Sequence, residues 1–258
     1  MQQPDIKLVI DTVEAAARVM LENGGETYRI EETVARMCAP FGFSRVEVIA
    51  FPTGLLVSIG DDENNRTSIK RIPVRGVNLS KIEQANDISR GVSNGTLSLE
   101  EAYRQLADLL KPAPKRTWWM AAAAGLSSGC FALAFSGNFV AFACAAAAGL
   151  LIRLLITQLE RRAMPSFVYS LLGGALAAFG GHAAAALFAL EASVTACIVS
   201  GAIMPMLPGL ALTNAIRDTI HGDLLSGASR LGEALLVSVA LAAGAGIALH
   251  FMLGGGAS

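Results

Sequence analysis

WWMAAAAGLSSGCFALAFSGNFVAFACAAAAGLLIRLLI, residues 118–156, holds a single charged side chain, Arg153, and is interrupted at Ser136-Gly137-Asn138. A helix of about 20 apolar residues crosses the ~30 Å hydrocarbon core of a bilayer, so this stretch reads as two membrane-spanning helices. The same texture continues to Leu253, with charges falling almost entirely in the gaps. Spans are predicted at about 118–135, 139–156, 167–190, 192–212 and 234–253. The expected fold is an α-helical membrane bundle of five transmembrane helices over 118–258. Function is then to be sought in what crosses, or is sensed at, a bilayer.

The charge balance separates this bundle from what precedes it. Residues 1–116 carry 15 of the 20 Lys and Arg and 16 of the 21 Asp and Glu, leaving five of each sign for the rest. Both parts are near neutral, so no basic patch points to nucleic acid. The front part is long enough to bury a core of its own. Cys38, Cys130, Cys144 and Cys197 have no C-x-x-C spacing and read as small buried apolar residues, not as a metal site or disulfide framework. Asp11, Glu14 and Glu22 interrupt the first 30 residues, so no signal-peptide core is expected there and the front part should stay on the side of synthesis.

Within the front part, Ile6, Val9, Ile10, Val13, Ala17, Met20 and Leu21 recur at helical spacing between charged positions. Gly24 and Gly25 end that helix. A second places Ile30, Val34 and Met37 inward. Residues 46–59 are β-branched and aromatic around Pro52 to Gly54, which predicts a hairpin, and 67–79 are expected to add one or two strands. Ser80 with Glu83, and Ser98 with Glu101, have capping-box spacing and predict two more helices, the second stopped by Pro112 and Pro114. Residues 1–111 are therefore expected to form an N-terminal cytoplasmic α+β domain, with 112–117 as linker.

Lys115, Arg116, Arg161, Arg162, Arg217 and Arg230 fall on one side if five helices alternate, whereas the loops near Ser136 and Glu191 have no Lys or Arg. The positive-inside rule then places the front domain in the cytoplasm and the C-terminus outside. Trp118 and Trp119 suit an interfacial belt. Gly125 and Gly129 at GxxxG spacing, Gly173 with Gly174, Gly180 with Gly181, and Gly244 with Gly246 favour close helix packing, in a tight bundle or an oligomer.

Residues 204–233 hold the densest set of polar and backbone-breaking residues: Pro205, Pro208, Gly209, Asn214, Arg217, Asp218, His221, Asp223, Arg230 and Glu233. Interrupted helices at membrane depth free backbone groups, and transporters present those groups to solutes. The competing reading of 214–230 is an interfacial loop, where charges are ordinary. Arg230 reads as structural, and so does Arg153, near a span end where it can snorkel. His182 reads either as a proton relay or as a hydrogen-bonded interior histidine. In the front domain, Gly25, Glu26, Thr27, Arg29 and Glu31 form a compact cluster after the helix break. With no phosphate loop, nucleophile elbow or metal-ligand spacing, it suggests neither metal nor cofactor, and reads as a salt-bridged contact or a small polar solute site.

Gly24-Gly25-Glu26-Thr27-Tyr28-Arg29-Ile30-Glu31 followed by Pro208-Gly209, Asn214-Ala215-Ile216-Arg217-Asp218, Gly222-Asp223, Ser226-Gly227 and 230–234 resembles the threonine/serine exporter family. Within it, the likeness is greatest to the larger subunit of the two-component type, whose enteric member is regarded as a succinate exporter. That resemblance implies export of a small amino acid or a dicarboxylate driven by the proton motive force. Single-chain members carry further membrane helices, so it also implies a separate small membrane subunit as partner. On this reading Asn214 and Arg217 contact the solute carboxylate, while Asp218 or Asp223 carries the proton or balances charge. The alternatives are a membrane-tethered enzyme acting through Glu26, Thr27, Arg29 and Glu31, or a scaffold that binds a partner through the front domain.

Overall fold

A computed structural model of the chain describes residues 5–43, 45–60, 65–73, 75–112, 117–162 and 164–254. Residues 113–116, which hold Lys115, Arg116 and most of the expected linker, lie outside that set. The chain divides into two compact units, residues 1–113 with 210–231, and residues 114–209 with 232–258.

In the first unit, Asp5 caps helix α1 (Ile6–Glu22) by accepting the Lys7 backbone N–H at 2.9 Å. Its apolar stripe is buried, with Val9, Val13 and Val19 fully so. Gly24 follows at φ +90°, a conformation that favours glycine. A side chain on Gly25 would meet the Met20 carbonyl at 2.9 Å. The two glycines therefore turn the chain directly into α2 (Thr27–Cys38), whose Ile30, Val34 and Met37 are buried as the spacing predicts.

Strands β1 (Arg45–Phe51), β2 (Gly54–Gly60) and β3 (Asn65–Arg71) form an antiparallel sheet in that order. The β1–β2 turn pairs Phe51 with Gly54, as the hairpin reading requires. Helices α3 (Leu79–Ser93) and α4 (Leu99–Leu110) follow. Ser98 caps α4 by accepting the Glu101 N–H at 3.3 Å. Ser80 does not cap α3: Asn78 does, accepting the Lys81 N–H at 3.2 Å, because the helix starts before Ser80. One core joins α1 to α4 and the inner face of the sheet, and Cys38 lies in it. Burial pushes the Cys38 thiol up to about 12.

Two more helical segments complete this unit. Helix α9 (Gly209–Ile220) and the first turns of α10 (Leu224–Gly254) pack with residues 1–113. Helix α9 is inverted relative to an ordinary surface helix. Its Asn214 and Asp218 are buried, while Ile216 and Ile220 are 54% and 75% exposed.

The second unit contains α5 (Thr117–Ser136), α6 (Phe139–Arg161), α7 (Ser166–Phe188), α8 (Ala192–Ile203), a 3₁₀ turn at Met204–Met206, and the remainder of α10. Among the described residues, four helices, α5, α6, α7 and α10, are long and apolar enough to cross a membrane. A fifth span exists if Ala192–Met206 and Gly209–Ile220 count as one interrupted crossing. The sequence predicts a continuous span over 192–212; Pro208, which has no N–H to donate, separates α8 from α9 instead.

Packing in this unit is the reverse of a water-soluble core. Its buried positions are mostly Ala and Gly, with a few Ile, Ser and Thr and Leu241, while Phe131, Leu151, Phe179, Leu187 and Phe251 face outward. Lipid solvates such a surface, and close backbone approach holds the helices together. A methyl group on Gly125 would lie 2.7 Å from the Ala146 carbonyl oxygen, and on Gly129 2.9 Å from that of Phe142. Helices α7 and α10 touch reciprocally, the same test giving 2.1 Å from Gly174 to the Leu241 oxygen and 1.9 Å from Gly244 to the Leu171 oxygen. Gly246, by contrast, faces open space.

Trp118 and Trp119 are largely exposed. Arg153 pairs with Glu160 at 3.3 Å, and His182 Nδ1 lies 3.1 Å from the Ala178 carbonyl. All four cysteines are free, but the expectation that they are buried holds fully for Cys38 alone, since Cys130 points outward from α5.

Candidate functional site

Arg217 and Asp218 each stand three or four residues from both Asn214 and His221, so the four share one side of α9 or its immediate continuation. That face meets the Gly24-Gly25 turn and the start of α2. The first amides of a helix have no partners within it, and Glu26, at the cap position of α2, makes no capping bond. Asp218 supplies one from the other segment: the Thr27 backbone N–H donates to Asp218 Oδ1 at 3.2 Å. The Thr27 hydroxyl donates to Asp223 Oδ2 at 2.9 Å. Two carboxylates thus sit at the positive end of α2, where the helix dipole favours negative charge.

The carbonyls of the glycine turn are used as well. Asn214 Nδ2 donates to Gly24 O at 2.9 Å, and Arg230 Nη2 donates to Gly25 O at 2.7 Å. Arg230 Nε also lies 3.0 Å from Asp218 Oδ2, in a pair whose side chains are 10% and 0% exposed. Glycine at Gly227 lets α10 approach α9, because a methyl group there would sit 2.9 Å from the Ala215 carbonyl. The neighbouring Ser226 hydroxyl donates to the Ala50 carbonyl at 3.4 Å. The Ala50 N–H donates to Glu31 Oε1 at 2.9 Å, tying β1 into the same network.

The rim of the network is open. Arg217 donates to Glu26 Oε1, and Arg29 Nη1 lies 3.6 Å from Glu26 Oε2. The Glu26 side chain is 8% exposed, while those of Arg29 and Arg217 are 52% and 53% exposed. The Tyr28 ring stacks on that of His221, centroids 3.8 Å apart and planes within 2°.

Burial pushes the Glu26 carboxyl up, but hydrogen bonds from Arg217 and Tyr28 and the charges of Arg217 and Arg29 outweigh it, leaving it below its ordinary 4.5. Glu31 moves the other way. Burial raises it, the Ala50 N–H opposes, and the carboxylates of Asp223 and Asp218 add to the rise. The stability contributed by Glu26 is therefore present above pH 4.5 and lost as pH falls through its folded value. That contributed by Glu31 is present below pH 4.5 and lost as pH rises through its folded value. Glu26→Gln is expected to lower stability at neutral pH by roughly 1 kcal/mol, a small figure because its arginine partners are half exposed. Glu31→Gln is expected to leave neutral-pH stability unchanged or higher. Unfolding midpoints of the detergent-solubilised variants across this pH range check both signs.

Of the residues singled out in the sequence, Gly25, Glu26, Thr27, Arg29, Glu31, Asn214, Arg217, Asp218 and Asp223 come together in this unit. Pro208 and Gly209 belong to the other unit, at the interruption before α9. Arg230 reads from the sequence as structural, Ser226 enters only as part of the family motif with no role, and the Tyr28–His221 stack leaves no sequence signal. Arg230 stands 12 residues after Asp218, and no periodicity pairs positions so placed.

Residues 11–252 match the model of a family described as "Putative threonine/serine exporter". The "Probable threonine/serine exporter" of Mycobacterium tuberculosis is 24% identical over 246 residues, covering 94% of this chain and 46% of that protein. The "Threonine/serine exporter" of Corynebacterium glutamicum is 24% identical over 266 residues, with 96% and 54% covered. The chain thus spans about half the length of these two relatives. The "Probable succinate transporter subunit YjjP" of Klebsiella aerogenes is 22% identical over 241 residues, covering 90% of each chain. No solved structure matches. With the family match running through both halves of the polar network and all the apolar helices, the chain belongs to the threonine/serine exporter family.

Proposed function

We propose that this chain is a subunit of a multi-pass inner-membrane exporter that moves a small amino acid (threonine or serine) or a dicarboxylate (succinate) outward, coupled to the proton motive force. A second small membrane subunit completes the transporter, the front domain faces the cytoplasm, five spans cross the bilayer, and the C-terminus lies outside. The reading as a transporter, and not as an enzyme, follows the family. The subunit reading is supported by the relative matched over nearly its whole length, itself named a transporter subunit.

The observation that carries the proposal is the network of Asn214, Asp218 and Arg230, all buried, with half-buried Asp223, exposed Arg217 and residues 24–27. Buried charge in such number is costly unless paired, and here it surrounds a rim with two exposed guanidinium groups. In this reading Arg217 and Asn214 bind the solute carboxylate. Asp218 or Asp223 takes up or releases the proton.

The test is reconstitution into liposomes with and without the candidate small subunit, following labelled threonine, serine and succinate under an imposed proton gradient. Gradient-dependent flux of one of them only with the partner is the expected result. If Asp218→Asn and Asp223→Asn both left flux and its pH dependence unchanged, the proton role assigned to this pair would fall.

A further inference from the structure

Glu26 is an unusual partner for two arginines. Its side chain is 8% exposed, yet both cations that face it are half in solvent. One oxygen is held by Arg217, and the Tyr28 hydroxyl also donates to the carboxylate, a bond that expulsion of Glu26 breaks as well. The other oxygen is buried, has no hydrogen bond of ordinary geometry, and lies 3.6 Å from Arg29. A carboxylate clamped fully on a guanidinium engages both oxygens in two parallel bonds, and this one does not. Its backbone lies one residue before α2, next to Gly25, whose carbonyl is held by Arg230. Exchanging the Glu26 carboxylate therefore does not require the Gly24-Gly25 turn or the buried Asp218–Arg230 pair to open.

Resting on the exporter reading, we propose that Glu26 is a tethered competitor: a carboxylate solute gains Arg217 and Arg29 by expelling the Glu26 side chain to solvent. The site then recognises a free carboxylate and is self-occupied when none is bound. Expelling Glu26 leaves two guanidinium groups without their shared anion, and a dianion such as succinate matches that charge better than zwitterionic threonine or serine. The Tyr28–His221 stack, half-buried at Tyr28 and exposed at His221, flanks the same rim.

If the tether holds the site closed about nine-tenths of the time, removing it tightens apparent affinity about tenfold, because apparent affinity scales with the open fraction. The experiment is calorimetric titration of succinate into the full-length protein in nanodiscs, in chloride buffer at neutral pH, with threonine and serine as comparison ligands. Glu26→Gln is expected to bind succinate about tenfold more tightly than the unmodified protein, and Glu26→Gln with Arg217→Ala to lose that binding while keeping the same circular dichroism. Equal affinity with and without Glu26, binding retained without Arg217, or no succinate binding by Glu26→Gln would each overturn the proposal. Liposome flux separates it from the exporter reading. Flux without the affinity change rejects the tether alone, and the affinity change without flux rejects the exporter alone.

Discussion

Arg230→Ala is expected to destabilise the first unit by about 3–5 kcal/mol, the cost of leaving a buried charge without its partner. Asp218 is wholly buried, and Arg230 supplies both its cation at 3.0 Å and the donor for the Gly25 carbonyl at 2.7 Å. Truncation removes both at once, and Asp218 is left with hydrogen bonds from Thr27 and no cation. Arg230→Lys should recover little, because the two contacts use separate nitrogens of a planar fork that an ammonium cannot reproduce. Arg230→Met combined with Asp218→Asn should cost less than Arg230→Ala alone, since no unpaired charge then remains. Unfolding midpoints in detergent rank the variants. If Arg230→Ala were no worse than the double replacement, the ion pair would not be what holds these segments together.

Gly244→Leu and Gly174→Leu are expected to have the next largest effects, in the second unit. The ideal first side-chain atom would lie 1.9 Å from the Leu171 oxygen in one case and 2.1 Å from the Leu241 oxygen in the other. Those atoms are backbone and cannot rotate aside, so α7 and α10 must separate. Overpacking costs about 1–3 kcal/mol where side chains can yield, and the reciprocal backbone contact places these two at or above the upper end. Even Gly244→Ala should lower the unfolding midpoint. Gly246→Ala, two residues on with nothing within 4 Å, should be neutral or slightly stabilising through helix propensity. A flat response across all of these positions would mean that the two helices are not held by close backbone contact.

Much of this was legible in the sequence, and what was not has physical causes. Local periodicity gave α1, α2, the β1–β2 hairpin and the Ser98 cap, because each is decided within a few residues. The Ser80 cap failed although its spacing to Glu83 is right, since Asn78 offers its oxygen to Lys81 earlier. Glycine spacing gave the close contacts at Gly125, Gly129, Gly174 and Gly244 but also flagged Gly246, which touches nothing; spacing does not say which face meets a neighbour. The predicted last span began at 234, whereas α10 starts at Leu224 and carries Arg230 and Glu233 inside it. The charge of Arg230 reads as lying outside a span, where it belongs to a buried pair with Asp218.

Each half of the candidate site was visible as a polar cluster. Their meeting was not, because the hydrogen bond from Asn214 to Gly24 closes a loop of 190 residues and leaves no periodic trace.

Cys38 gives the first unit a chemical clock. Its thiol is fully enclosed and held protonated to about 12, so at neutral pH it offers alkylating reagents neither access nor thiolate. Modification of this residue by a water-soluble maleimide therefore counts openings of the α1–α4 core. Mass spectrometry of the Cys38 peptide would time those openings in the native protein, with no added probe.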